Sequence, residues 1–287
     1  MHNGHTKILE PALYVVATPI GNLRDITLRA LDVLAAANVV AAEDTRNTAH
    51  LLTHHGISAS RLMAVHQHNE RGAAEKIITL LQAGQSVAFV SDAGTPAVSD
   101  PGALLVQAVL AAGLRVIPIP GANAAVTALS AAGLTCPHFL FYGFLPNKSA
   151  ARRTVLQELC GDPHTLVFYE APHRIVECVA DLCAILGEDR RIVLAREITK
   201  LFETIHTCPL RDAEAWLLAD GNQQRGEFVV LVSGAPPQAG LLVETLNTLS
   251  LLLGELPLKQ AVQLTAKITG ANRNELYQQA LQMKNAG

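Results

Sequence analysis

Short apolar runs alternate with longer stretches of helical spacing along the first half of the chain. Leu13-Tyr14-Val15-Val16-Ala17, Val39-Val40-Ala41-Ala42, 62–65, 87–90 and 115–119 each read as a strand, 87–90 as a buried one. Between them, segments 27–37, 73–83, 103–112 and 122–132 read as helices; Leu28, Leu31 and Leu34 lie on one face of the first. Gly84 and Gly133 stand where helix-ending residues belong. This β-α-β series argues a mostly parallel sheet with helices on both faces. A second series places strands at 139–142, 166–169, 192–195 and 228–232, and helices at 150–159, 175–186 and 211–218. After Ser233-Gly234-Ala235-Pro236-Pro237, amphipathic segments 258–268 and 274–283 read as helices. The expected organisation is α/β: a flexible leader 1–11, an α/β domain 12–134, a second α/β domain 135–235 and a small helical appendage 236–287.

The polar residues gather where strands end. The longest such loop, Ser91-Asp92-Ala93-Gly94-Thr95-Pro96-Ala97-Val98-Ser99-Asp100-Pro101-Gly102, follows strand 87–90. Ordinary βα loops take about 2–6 residues, and this one keeps two carboxylates. Its prolines fix φ and its glycines permit close approach of backbone to a ligand. Ligands of α/β proteins bind at the carboxyl ends of strands, which makes this loop the leading candidate for a binding site. Further candidates are Thr18-Pro19-Ile20-Gly21, Glu43-Asp44-Thr45-Arg46, the small-residue opening Pro120-Gly121-Ala122 of the helix 122–132, Tyr169-Glu170 and Arg196-Glu197-Ile198-Thr199-Lys200. Each has a plainer reading as a turn, a helix cap or a surface ion pair of about 0–1 kcal/mol.

Composition narrows the function. The chain has 287 residues, 49% hydrophobic and 16% charged, a globular balance. Its net charge of −3 leaves no overall electrostatic footprint for a nucleic acid, so an RNA partner needs a local basic patch. Lys148, Arg152 and Arg153 form the densest one and share a predicted helix face. Five cysteines without a C-x-x-C pair fit neither a disulfide framework nor a zinc site. His66 and His68 lack a third ligand at helpful spacing, and no metal site is expected. Neither G-x-G-x-x-G nor a P-loop is present. No secretory signal or membrane-length apolar run is evident, so a cytoplasmic protein is expected.

Eight segments stand in order from 18 to 232: TPIGNLRDITLRA, EDTR, SDAGTPAVSDPG, PGANAAVTAL, FYGFLPNK, FYEAPHR, REITK and GEFVVLV. Together they resemble the tetrapyrrole methylase family, and within it the branch that methylates small-subunit ribosomal RNA. The resemblance implies two α/β domains with S-adenosylmethionine in the cleft between them. It implies methylation of a cytidine 2′-hydroxyl in the decoding region of 16S ribosomal RNA, inside the small ribosomal subunit, by a homodimer. By position it assigns Pro19, Gly21, Asp92, Ala93, Gly94, Thr95, Ser99, Gly121, Ala122, Tyr142 and Tyr169 to the cofactor cleft.

The residues add roles of their own. Methyl transfer from a cationic sulfonium is an in-line displacement in which alignment is worth about 7–11 kcal/mol. Asp92 and Asp100 could face the sulfonium, or Asp100 could cap the helix after Pro101. A ribose hydroxyl needs a base; Glu170, Glu197 and Asp44 are the catalytic candidates, with Lys200 or Arg46 stabilising charge. Arg24, Arg29, Arg46, Lys148, Arg152 and Arg153 are expected to contact RNA, with Lys259, Lys267, Arg273 and Lys284 extending that surface. Competing expectations are a tetrapyrrole or protein methyltransferase of the same fold and a non-catalytic RNA-binding assembly factor.

Overall fold

A computed structural model describes residues 9–59, 61–66, 69–236 and 243–285. In chain order the first sheet region contains β1 (Leu13–Val16), α1 (Leu28–Ala36), β2 (Val39–Ala42), α2 (Thr45–His54), β3 (Leu62–Ala64), α3 (Glu70–Gln82), β4 (Val87–Val90), α4 (Ala103–Ala111), β5 (Val116–Ile119) and α5 (Ala124–Ala131). The strands form one sheet in the order β3-β2-β4-β1-β5. Every pairing in it is parallel, as the β-α-β reading predicts. β1, β2 and β4 bury almost every side chain, because both faces are covered. On one face Leu34 and Leu52 of α1 and α2 pack against Tyr14 and Val40. On the other, Ile77 and Leu105 of α3 and α4 pack against Phe89 and Leu13.

The chain continues with β6 (Phe139–Phe144), α6 (Ser149–Leu159), β7 (Thr165–Glu170), α7 (Ile175–Leu186), β8 (Arg191–Arg196), β9 (Thr204–Pro209), α8 (Leu210–Ala219) and β10 (Phe228–Val232). Their sheet runs β6-β7-β10-β8-β9 and is mixed: β6 and β7 are parallel, while β10 lies antiparallel to both β7 and β8. Alternation sorts the side chains by face. Phe168, Leu194 and Val230 meet α6, α7 and α8. Val167, Val193, Val229 and Leu231 meet Ala125, Ala128 and Ala132, so α5 covers the second sheet although it follows the last strand of the first. Strand β9 and helix α2 were not predicted. β9 is a half-buried edge strand of mixed polarity, and α2 opens on Thr-Arg-Asn-Thr, with only Thr48, Leu51 and Leu52 buried.

Two compact units result, one ending at Gly234 and one beginning at Ala235. The second is a three-helix unit of α9 (Val243–Glu255), α10 (Leu258–Thr269) and α11 (Arg273–Asn285), closed around Leu249, Val262, Leu276 and Ala280. Among the described residues no helix is long and apolar enough to cross a membrane.

Two buried charges fix local geometry. Glu70 is buried, and its Oε1 accepts from the backbone N–H groups of Gly102 and Leu105, both at 3.0 Å. It satisfies the start of α4, where orphan donors need an acceptor. Asp100 is therefore not the cap: α4 begins at Ala103 with Gly102 as the preceding residue. Arg152 is completely buried and donates from Nε to Asp181 Oδ2 at 2.7 Å, joining α6 to α7. Arg153 reaches the same carboxylate at 3.1 Å but stays half exposed. Asp181→Ala leaves a buried guanidinium with only the exposed Glu177 carboxylate at 3.7 Å, and a loss of about 3 kcal/mol in urea unfolding is expected. Arg153→Ala is expected to cost less than about 1 kcal/mol in the same measurement.

Candidate active site

The site grows out of neighbouring strand ends. β1 and β4 are adjacent, so the loops that follow them leave the sheet side by side. They are tied by a two-bond bridge: Thr18 N donates to Gly94 O at 2.9 Å and Gly94 N to Thr18 O at 3.0 Å. Gly94 has φ +78°, and a Cβ there would come within 3.3 Å of Ile20. Thr95 Oγ1 donates to Ala122 O at 3.1 Å and so ties the loop to the start of α5. Ala97 and Ser99 hold φ of 67° and 59°, a region residues with a Cβ rarely adopt. The loop is thus pinned at three points and strained between them.

A cavity of roughly 320 Å³ lies between this loop and the second sheet. Gly94, Thr95, Ser99 and Asp100 form one wall; Tyr169, Glu170, Glu197 and Val229 form the other. Phe144 and Tyr169 line it with their rings 5.6 Å apart, and the Tyr169 hydroxyl accepts from Ala125 N at 3.3 Å. Burial raises the Tyr169 phenol, the Ala125 hydrogen bond opposes it and the Asp100 charge adds to it. A second cavity of roughly 380 Å³ adjoins the first and is lined by Thr18, Pro19, Gly21, Asn47, His50 and Asp92. Ile20, Ala93, Lys200 and Glu227 belong to both.

Lys200 forms the partition. Its Nζ donates to Glu197 Oε1 and Glu227 Oε2, each at 2.8 Å. Its stem fills the space beside Gly21, where a Cβ would lie 2.4 Å from Lys200 Cγ. Only glycine fits there, which gives a steric reason for the residue. Burial alone lowers the ammonium, but the two carboxylates outweigh it and raise the Lys200 pKa. For Glu197 burial pushes upward, and the Lys200 and Glu227 N–H hydrogen bonds outweigh it and hold the carboxyl below its usual range. Glu197 and Thr199 sit at φ 52° and 69°, and this tight turn returns Lys200 to the cleft.

The other expected residues fall at varied places. Glu170 lines the cavity, but its buried carboxylate pairs with Arg174 at 3.1 Å and accepts from Ala171 N at 2.8 Å. Asp44 lines neither cavity. It caps α2 and binds Arg46 at 2.6 Å, which brings its carboxyl down to about 2. Gly121 and Ala122 stand behind the cavity, where Asn123 and Ala124 provide the surface. A Cβ on Gly121 would lie 2.9 Å from that of Ala17. Tyr142 points out at 41% exposure, outside both linings. Of the basic residues, Arg24, Arg29, Arg46, Lys148 and Arg153 are exposed, whereas Arg152 is completely buried and pairs with Asp181 and Glu177. Lys148 precedes α6 rather than sharing its face. His66 neighbours residues 67–68, which lie outside the described residues, so the histidine pair is not seen together. Glu227 and Phe144 went unassigned; both stood inside segments already singled out, but only the sheet order brings them to the loop.

The chain is similar to proteins of known family. Residues 12–214 match the model described as Tetrapyrrole (Corrin/Porphyrin) Methylases, and 239–284 match the one described as the RsmI C-terminal HTH domain. The Ribosomal RNA small subunit methyltransferase I of Pseudomonas aeruginosa is 54% identical, covering 94% of this chain and 96% of that protein. Its namesake in Escherichia coli O157:H7 is 52% identical over 95% of each. The crystal structure of uroporphyrin-III C-methyl transferase from Thermus thermophilus, complexed with S-adenyl homocysteine, superposes with a TM-score of 0.53 at 18% identity, covering 77% of this chain and 97% of that one. Two α/β domains with a cleft were expected; the fold found has two α/β sheets with a cavity between them inside one compact unit, and the chain belongs to the tetrapyrrole methylase family, within it to the ribosomal RNA small subunit methyltransferase I group.

Proposed function

We propose that the protein is an S-adenosylmethionine-dependent methyltransferase acting on small-subunit ribosomal RNA. The finer target is a cytidine 2′-hydroxyl in the decoding region of 16S RNA, reached in the cytoplasm within the small ribosomal subunit. One observation carries the reading: two adjoining cavities share a wall at Ile20, Ala93, Lys200 and Glu227. Such a pair suits a reaction that needs two ligands aligned more than it needs a protein nucleophile. The identity to ribosomal RNA methyltransferases along nearly the whole chain favours RNA over a tetrapyrrole as acceptor.

The first cavity fits the cofactor. Its volume lies in the range of about 300–1,000 Å³ typical for small-molecule sites. Gly94 offers close approach of backbone, and Phe144 and Tyr169 offer ring faces to a cation or a base. When bound, S-adenosylmethionine supplies an electrophilic methyl group on a cationic sulfur. The loop 91–102 orients that ligand through its ties at Thr18 and Ala122. Lys200 stays charged in the partition and stabilises negative charge on an acceptor oxygen. Glu170 and Glu197, each bound to a cation, act by holding Arg174 and Lys200 in place.

Arg24, Arg29, Lys148 and Arg153 provide exposed positive charge for phosphates, and Lys259, Lys267, Arg273 and Lys284 provide more on the C-terminal unit. A homodimer is part of the reading. It is supported by exposed Phe139, Tyr142 and Phe144 on the edge strand β6 and by Leu201 and Phe202 on the β8–β9 turn.

Four measurements test these points. Calorimetric titration is expected to give S-adenosylmethionine a dissociation constant on the order of 1 μM, about −8 kcal/mol. Gly94→Val, which crowds Ile20 at a positive φ, is expected to weaken it at least about tenfold. Labelled methyl is expected in small subunits as a 2′-O-methylcytidine; label in a tetrapyrrole and none in RNA would favour the rival substrate. Lys148→Glu with Arg153→Glu is expected to reduce the salt slope of RNA binding by about 2. Sedimentation equilibrium is expected to return twice the chain mass of 30.5 kDa, and the single mass would overturn the dimer.

A further inference from the structure

Most carboxylates around the cleft already have a cation. Asp44 binds Arg46, Glu170 binds Arg174, and Glu197 and Glu227 share Lys200. Asp92 is occupied differently, accepting from Asp44 N at 3.1 Å and Asn47 Nδ2 at 3.2 Å. Asp100 differs from all of these. It lines the first cavity, half buried, and among the described residues no Lys, Arg or His lies within ion-pair distance of it. The strained residues Ala97 and Ser99 and the Ala97 N to Pro101 O hydrogen bond of 3.2 Å set the backbone that carries it. The groups facing it are Glu43 from the end of β2, Ser91 and Asp92 from the β4 loop and Tyr169 from β7. None of them is cationic.

We propose that Asp100 is the general base of the methyl transfer, an assignment that rests on the function proposed above. Its carboxylate takes the proton of the acceptor hydroxyl. The hydroxyl oxygen uses a lone pair to form the new O–C bond, the electron pair of the breaking S–C bond remains on sulfur, and the neutral thioether leaves. Asp100 then passes its proton to solvent. A carboxylate tied to a cation is a poor proton acceptor; an uncompensated one is a better base. The electrostatics agree. Burial, then the Glu43 charge, raise the Asp100 carboxyl to about 6, against an opposing hydrogen bond with Ser91. It is ionised at neutral pH and still basic enough to share a proton.

The test is Asp100→Asn, which keeps the shape and removes the base. Without any ligand, the variant is expected to melt higher than the parent at pH 7.5, and by a smaller margin at pH 4.5. The sign follows from the raised carboxyl: ionising it costs folded-state stability as pH rises from its unfolded value near 4 toward 6 and above. With ligands, S-adenosylmethionine affinity is expected to stay within about threefold, while single-turnover methylation of small subunits falls by about a hundredfold or more. The parent's kcat/KM is expected to rise about tenfold per pH unit below 6, and the variant's to lose that dependence. Equal turnover by both proteins, or a loss of cofactor affinity matching the loss of rate, would overturn the assignment to Asp100 alone. A parent that binds no cofactor and transfers no methyl would overturn the proposed function and the base with it.

Discussion

The packing of α5 on the second sheet is the constraint on which the rest depends. Ala125, Ala128 and Ala132 press onto Val167, Val193, Val229 and Leu231, so a helix that follows the last strand of one sheet becomes the cover of the other. Small side chains let the helix approach closely, and dense packing leaves little room for sliding. The start of the same helix accepts the tie from Thr95, and its Ala125 N–H meets the Tyr169 hydroxyl. One element therefore sets the distance between the two walls of the first cavity. A cleft of fixed width follows from the core and needs no ligand to form it.

Rigidity is concentrated where alignment is needed. The Thr18–Gly94 bridge and the Thr95–Ala122 hydrogen bond hold the first half of the long loop, and the Glu70 cap on α4 holds its end. Two residues of that loop and two of the 197–199 turn adopt left-handed backbone despite having a Cβ. Strain of this kind costs about 1–3 kcal/mol per residue and persists only where neighbours over-determine the conformation. Here both strained segments face the same space from opposite sheets. Charge follows a similar division: paired carboxylates brace the walls, while Asp100 remains uncompensated inside them.

Much of this was legible in the chain. The fully buried runs Val39–Ala42 and Val87–Val90 read directly as central strands, because a parallel sheet covered on both faces needs continuous apolar residues. The loop 91–102 declared itself through length, glycines, prolines and acids. Ser99 and Thr95 were expected at the cavity and line it, as do Gly94 and Tyr169. Periodicity did not reveal β9, whose edge position leaves it half buried, or that β10 would insert antiparallel between β7 and β8.

The sequence by itself determined most of the strands, the long polar loop that borders the cavity and the family the chain belongs to, because these depend on local pattern and ordered motifs. The tertiary structure decided which charges are available. Arg152 reads as surface charge beside Lys148 and Arg153, yet it is buried against Asp181 from a helix nearly thirty residues away. Glu170, Glu197 and Asp44 read as bases, yet each has a cation. Asp100 reads as a helix cap, yet Glu70 of α3 holds that place. Whether a carboxylate is a brace or a base depends on which partners the fold brings within about 4 Å, and that is set by packing between segments distant in the chain.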